Sequence, residues 1–276
     1  MRKALAASFF AAIVGLVGMA HAAETDKVIE YYRRKANIPP QIPITVKSLD
    51  ASPIKGAKAG KLDVRGREVG FLLSDDGRYA VFGDIEDLTV DPFKSVMSKI
   101  KLDGRPFKGG KDAKVIIVEY SDYQCPFCSR GYATIENEVL KEYGDKVKFY
   151  YKNFPLAFHK WAQPAAINVE CAADQSKDAY WALYKYYFEN QKDITPENLK
   201  DKTAEVLKGQ KIDVKKFDEC VAGNKTLDRV NADMQEGQSV GVTGTPGFII
   251  NGRLVSGAQP FQNFKAIIDD ELARSK

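Results

Sequence analysis

Histidine is almost missing from this chain of 276 residues: only His21 and His159 occur. Cysteine is scarce too, with Cys125, Cys128, Cys171 and Cys220 making up the 4 in the sequence. A structural zinc site takes three or four Cys or His ligands at close spacing. No second C-x-x-C accompanies Cys125 and Cys128, and Cys171 and Cys220 have no partner at ligand spacing. No metal and no cofactor is therefore expected. A strong charge of one sign is lacking as well. The formal net charge is +4, and removing Arg2 and Lys3 with a leader takes it to +2. That balance gives no electrostatic reason to expect nucleic acid as a partner. Internal repeats and low-complexity tracts are absent. Beyond the first two dozen residues no apolar run is long enough to cross a bilayer.

The one apolar run lies at the start. "MRKALAASFFAAIVGLVGMAHA" opens on Arg2 and Lys3, runs apolar from Ala4 to Ala20, and ends in the small-x-small pattern Ala20-His21-Ala22. This is the pattern of a secretory signal peptide over residues 1–22, with cleavage after Ala22. The other reading is an uncleaved anchor, but a run of about 17 residues broken by glycines is short for a span. An exported chain of about 254 residues remains, enough for one large or two smaller domains. In an oxidising compartment its even number of cysteines favours disulfides. The periplasm is the expected location.

The exported chain divides in two. Residues 24–37, "ETDKVIEYYRRKAN", predict a helix ended by Pro39 and Pro40. From Ile42 to Leu88 the pattern changes to short strands, with reversals at Arg65-Gly66 and around Asp76-Gly77. This N-terminal region, 23–88, has only about 65 residues and buries little core alone, which predicts that it pairs, for example with its own copy. Residues 89–113 read as a linker: a connecting helix within 84–102, then the polar, Gly-rich "DGRPFKGGKDA". In the alternative organisation, 23–113 is an extension folded onto the main domain.

The second part, 114–276, starts with "KVIIVEYSDY", an apolar β-branched run fitting a buried strand. The cysteine pair follows at once. "PFCSRGYATIENEVLKEYG" then places Ile135, Val139 and Leu140 on one helical face, with Gly144 as a stop. "KVKFYYKNF" is the next strand, so the order is that of a βαβ unit. Helical patterns follow over about 70 residues, an insertion near 160–225 in an α/β core. A hairpin at Asn251-Gly252 and a terminal helix close the chain.

A C-x-x-C pair can hold metal, lock a turn as an inert crosslink, or exchange disulfides. Strand, then C-x-x-C, then helix favours the last. Cys125 would cap the helix that begins at Pro126, where free N–H groups and the helix dipole stabilise an anion. In such places a thiol pKa falls to ~3.5–7.5. Pro126 suits a first helical position because its missing N–H would have no partner there. Cys128, one turn in, is placed to attack a mixed disulfide at Cys125. Cys125 reads as the entry nucleophile and Cys128 as the resolving thiol.

"VIIVEYSDYQCPFCSRGY", the helical block and "VGVTGTPGFIINGRLVSGAQP" together resemble the bacterial DsbA-type thiol-disulfide oxidoreductases, over about 114–276. "ASPIKGAKAGKLDVRGREVGFLLSDDGRYAVFGDIEDL" (51–88) separately resembles the dimerisation domain of the DsbC/DsbG isomerases. The resemblance implies an α/β fold: a thioredoxin fold with an inserted helical domain, plus a small α+β N-terminal oligomerisation domain. It implies that Thr245-Pro246 is a cis-proline loop beside the cysteines, where the Thr245 backbone binds unfolded substrate as an added strand. It implies that Glu119 is a buried acid serving Cys128 as a proton relay, and that Lys152 on the neighbouring strand is its basic partner. The alternative for both is a solvent-facing edge pair. A Cys171–Cys220 disulfide fits some DsbA-like relatives, the alternative being two buried free thiols. His159 reads as structural. Phe127 departs from the frequent Cys-Pro-His-Cys and removes a titratable group beside Cys125.

The expected function is thiol-disulfide exchange on unfolded or misoxidised exported proteins, with a membrane redox partner and a homodimer through the N-terminal domain. That domain and Thr245 before Pro246 favour a disulfide isomerase or reductase. The DsbA-like domain favours an oxidase. A monomeric oxidase, a trimer of the copper-sensitivity-suppressor type, and a chaperone or binding module with incidental cysteines are the alternatives.

Overall fold

A computed structural model describes residues 24–275. The expected signal peptide and its cleavage site lie outside the described residues. None of the described helices is long and apolar enough to cross a membrane. The chain separates into two compact units, with the boundary between Thr89 and Val90.

The first unit carries helix α1 (24–35). Four antiparallel strands follow in sequence order: β1 (Ile44–Ala51), β2 (Ala57–Val64), β3 (Arg67–Ser74) and β4 (Ala80–Phe82). Arg65 and Gly66 both have positive φ, 56° and 82°, as a two-residue turn between twisted strands requires. Val28 of α1 joins Ile44, Leu62, Phe71 and Leu73 in a small core. Phe71 lies flat across β2 because Gly60 has no side chain: a Cβ there would come within 2.3 Å of the ring. The edges of this sheet are β1 and β4, and Tyr79 and Val81 at the β4 edge are 66% and 64% exposed.

The second unit begins earlier than the sequence predicts. Helix α2 covers only Pro92–Met97, capped by the Asp91 side chain on the Phe93 N–H. The expected helix over 84–102 is shorter because a proline restricts the residue before it and opens helices better than it continues them. Nor is 103–113 a free linker: within it, β5 (Lys108–Gly109) pairs with β7 (Val147–Asn153).

The central sheet has the order β5–β7–β6–β8–β9. Its middle strands β6 (Val115–Ser121) and β7 (Val147–Asn153) run parallel, in register Glu119 to Tyr151 and Tyr120 to Lys152. Helix α3 (Pro126–Thr134) starts the crossover between them, a π-turn at Ile135–Val139 and α4 (Leu140–Tyr143) complete it, and Gly144 ends it at φ 48°. Strands β8 (Gly247–Ile250) and β9 (Arg253–Ser256) add antiparallel, joined by the positive-φ pair Asn251–Gly252. Between β7 and β8 come helices α5 (Ala162–Ala173), α6 (Lys177–Glu189), α7 (Leu199–Leu207), α8 (Val214–Ala222) and α9 (Leu227–Ser239), and α10 (Phe261–Arg274) closes the chain. This is a mixed α/β thioredoxin-like fold with a helical insertion.

Both faces of β6 and β7 are buried, so these strands read as near-continuous apolar runs. Ile117, Phe149 and Tyr151 face a core shared with α3 and the helical block. Val118, Tyr120 and Tyr150 face a second core with Val240 and Val242, just beyond α9. Cys171 of α5 and Cys220 of α8 form a disulfide.

Candidate active site

Cys125 is the residue from which α3 springs. Its backbone is extended, φ −73° and ψ 123°, and Pro126 takes the first helical position. The Cys125 carbonyl accepts the Cys128 and Ser129 N–H groups at 3.0 and 3.2 Å, which starts the helix. Its thiol lies 3.7 Å from the Thr245 carbonyl oxygen, and the Thr245–Pro246 bond is cis. So the loop before β8 comes to the sulfur from 120 residues away. Gly131 permits this closeness. A Cβ there would lie 3.0 Å from the Phe248 ring, 3.2 Å from Pro246 and 3.6 Å from Glu119 Oε1.

The two thiols are pushed in opposite directions. Cys125 falls from its ordinary value to about 5: a hydrogen bond from Cys128 outweighs burial, and the Cys128 and Phe127 backbone N–H groups and Thr245 add to the fall. Cys128 is fully buried, and burial followed by the hydrogen bond it gives Cys125 raises its thiol far above the ordinary range. Its sulfur accepts the Asp122 N–H at 3.4 Å. One sulfur is therefore a thiolate near neutrality and the other keeps its proton.

Glu119 lies beneath α3 with no exposed surface. Neither carboxyl oxygen has a hydrogen-bond partner of good geometry, and burial raises its pKa to about 8. The Ser121 hydroxyl nearby lowers it only in part.

Lys152 is not the partner of Glu119. It stands opposite Tyr120 in the register, so it projects from the other face of the sheet, because side chains alternate along a strand. There its ammonium lies 2.5 Å from Glu236 and 3.4 Å from Asp233, both on α9. Arg105 joins them, 2.7 Å from Glu170 of α5 and also paired with Asp233. The expected Glu119–Lys152 pair is thus two separate sites, one on each face.

The loop before Cys125 is fixed by residues that sequence reasoning passed over. Asp122 accepts the Gln124 N–H at 2.7 Å and the Leu156 N–H at 2.8 Å, and its Oδ2 lies 2.8 Å from His159 Nδ1. The amide of Gln191 reaches back from beyond α6 to the Tyr123 and Cys125 carbonyls at 2.8 and 2.9 Å. An acidic residue three positions before the first cysteine was a usable turn signal for Asp122. Gln191 had none, being 66 residues away from Cys125. Cys171 and Cys220 are bonded to each other, away from this pair. Among the described residues no group of three or more His, Cys, Asp or Glu could hold a metal ion.

The chain matches the family model described as Thioredoxin over residues 101–270. Probable disulfide bond formation protein D of Bacillus cereus is 32% identical over 171 residues, 60% of this chain and 78% of that protein. The Na(+)/H(+) antiporter NhaA 3 of Salinispora tropica is 29% identical over 170 residues, which cover 61% of this chain but only 25% of the antiporter. The crystal structure of oxidised BdbD from Bacillus subtilis superposes with a TM-score of 0.57 at 24% identity, covering 63% of this chain and 95% of that one. The fold, the matched residues and the first of these relatives place the chain: it belongs to the thioredoxin family. Within that class the Bacillus cereus relative is a probable disulfide bond formation protein, and the BdbD structure shares the fold.

Proposed function

We propose that the protein is a thiol-disulfide oxidoreductase of exported proteins, with Cys125 as the attacking sulfur and Cys128 as the resolving thiol. The observation that carries this reading is the split between the two sulfurs: a thiol lowered to about 5 at a helix start, beside one that burial keeps protonated. The Cys125 thiolate attacks a client disulfide, one client sulfur leaves with the electron pair, and Cys128 then displaces the other. Glu119 is the acid–base group for Cys128. The Thr245 backbone, 3.7 Å from the Cys125 sulfur, is where an extended client segment pairs.

The first unit is read as a DsbC-like domain joining two catalytic units around one client, which makes the activity that of an isomerase or reductase. Its resemblance over 51–88 and its apolar edge at Tyr79 and Val81 support pairing with a second copy. Export to the periplasm and a membrane redox partner complete the reading. A second reading, a disulfide oxidase, is favoured by the name of the Bacillus cereus relative and by Glu119. A carboxyl with a pKa of about 8 is neutral at pH 7, ready to protonate Cys128 as it leaves the Cys125–Cys128 disulfide.

Acid trapping of Cys125 and Cys128 in cells separates the two. A mostly reduced pair means isomerase or reductase, and a mostly oxidised pair means oxidase. Cys125→Ala should abolish refolding of a scrambled disulfide substrate, whereas unchanged refolding would leave a chaperone or binding module. Light scattering should give a dimer for the exported chain and a monomer for 90–276, and equal association states would refute pairing through the first unit.

A further inference from the structure

Three buried polar atoms of β6 have no hydrogen-bond partner: both carboxyl oxygens of Glu119 and the hydroxyl of Ser121. Buried polar atoms are nearly always paired, so a cluster of orphans beside reactive sulfurs calls for a functional account. Glu119 and Ser121 are two apart on one strand and share the face beneath α3. Cys128 comes down onto that face from α3, fully buried. The Cys128 sulfur lies 3.4 Å from the Asp122 amide nitrogen, the peptide group directly after Ser121, which brings it alongside the Ser121 residue. The presence of Ser121 lowers the pKa of Glu119 and of Cys128 alike.

We propose that Ser121 Oγ is a catalytic group that carries the Cys128 proton to and from Glu119. The proposal rests on the reading of Cys125 and Cys128 as the exchanging pair with Glu119 as its acid–base group. In the resolving step Cys128 passes its proton to Ser121 Oγ while the Ser121 proton passes to the Glu119 carboxylate. The Cys128 sulfur bonds to the Cys125 sulfur, and the bond from Cys125 to the client sulfur breaks. The electron pair leaves with the client thiolate, which takes a proton from solvent. The client is reduced and the cysteine pair oxidised by two electrons. In reverse, a client thiolate opens the Cys125–Cys128 disulfide, and neutral Glu119 protonates departing Cys128 through Ser121.

A hydroxyl suits this position because it can accept one proton and donate another by rotating. The neighbours leave the route to it. Tyr151 on β7 gives its hydroxyl to the Ser121 carbonyl at 3.2 Å, and Tyr180 on α6 gives its own to the Tyr151 carbonyl at 3.2 Å. Burial raises Tyr123, Tyr151, Tyr180 and Tyr184 well above their ordinary values, so all four stay neutral. Glu136, facing Glu119 from the π-turn, is paired with Lys108 at 2.6 Å. Asp122 is held by two N–H groups and His159.

The test is rapid-quench measurement of intramolecular disulfide formation in the full exported chain, starting from the mixed disulfide with glutathione, across pH 5–10. The parent rate should rise with pH through an ionisation near 8, the value for Glu119. Ser121→Ala and Ser121→Gly should each slow the step by on the order of 10²-fold at pH 7 and lose that ionisation. Ser121→Thr, which keeps a hydroxyl, should restore both. The pH profile of Cys125 alkylation should not move in any of them. If Glu119→Gln loses the ionisation while Ser121→Ala keeps it and the rate, the relay is wrong and the acid–base reading stands. If Glu119→Gln keeps it too, that reading falls and the relay with it. A Cys125 alkylation profile that shifts as far as the resolving step in Ser121→Ala would make the effect one of packing and overturn the proposal.

Discussion

Strands β6 and β7 carry buried ionisable groups on both faces, and the two sets are connected in opposite ways. On the second face Arg105, Lys152 and Arg229 meet Glu170, Asp233 and Glu236, and each has an ion-pair partner. Glu236 also takes the Tyr120 hydroxyl at 2.7 Å and the Lys101 N–H at 2.8 Å. On the first face Glu119 has no partner of good geometry. A network of paired charges fixes what it joins, here Arg105, β7, α5 and α9. An orphaned carboxyl sits where a small change in its surroundings changes its charge, which is useful for chemistry and costly for stability.

The largest effect should come from breaking the closed network. Lys152→Met leaves Asp233 and Glu236 buried with their main ammonium partner gone, at a cost of about 3–5 kcal/mol in denaturant unfolding. The pH profile of Cys125 alkylation should stay as in the parent, because Lys152 lies on the other face. A shift in that profile would mean that the two faces share one electrostatic system after all.

Next comes the disulfide. Cys171 and Cys220 are 49 residues apart, and removing the bond by the double change Cys171→Ala/Cys220→Ala should cost ~4 kcal/mol in the chain-entropy model. Cys171 directly follows Glu170, so α5 carries the disulfide and a carboxylate of the network on adjacent residues. Combined with Lys152→Met, the losses should fall short of their sum by more than about 0.5 kcal/mol. Strict additivity would mean that α5 does not link the two.

Glu119→Gln should behave in the opposite way from Lys152→Met. The folded pKa of Glu119 is about 8, raised from an ordinary 4.5. The folded chain therefore binds this proton more tightly than the unfolded chain does. That contribution favours folding fully below the unfolded value and is lost as pH rises through about 8. Replacing it with a neutral amide should leave stability nearly unchanged at pH 4 and raise it by a few kcal/mol at pH 9. Unfolding curves at the two pH values check this, and equal effects at both would place the Glu119 pKa near its ordinary range.

The contrast between the faces also marks where sequence reading worked. The β6 strand, the helix opened by Pro126 and the hairpin at Asn251-Gly252 each left a local signal: an apolar run, a proline at a helix start, a pair suited to positive φ. Burial of Glu119 was implied by the family resemblance, with a solvent-facing edge position as the alternative, and the structure buries it completely. The error over Lys152 came from carrying the resemblance over without the strand phase. Which face a residue takes depends on the register of β6 against β7, set by the whole crossover, and a one-residue difference reverses it. Asp233 and Glu236 lie in a stretch whose helical pattern is polar, so nothing local marks them as buried partners of a lysine some 80 residues earlier. The 103–113 segment looked like a linker because Gly-rich, polar sequence usually is one. The pairing of β5 with β7 and the ion pairs of half-buried Arg105 are tertiary events with no local pattern.

The smallest effect should come from the residue between the cysteines. Phe127 is 55% exposed, and its ring lies 4.4 Å from the Arg130 guanidinium. Phe127→Ala removes an exposed cation–π contact worth ~0.5–1 kcal/mol. It leaves in place what lowers the Cys125 thiol, first the hydrogen bond from Cys128, then the backbone N–H groups of Cys128 and Phe127. The alkylation midpoint should therefore stay near 5 in Phe127→Ala. Phe127→His differs, because below an imidazole pKa of about 6.5 it adds a cation close to the sulfur and should lower the midpoint further. A midpoint that moved by about one unit in Phe127→Ala would place control of the thiolate in the side chain at 127 rather than in the helix start and Cys128. The first face would then tune its chemistry from its exposed rim rather than from its buried floor.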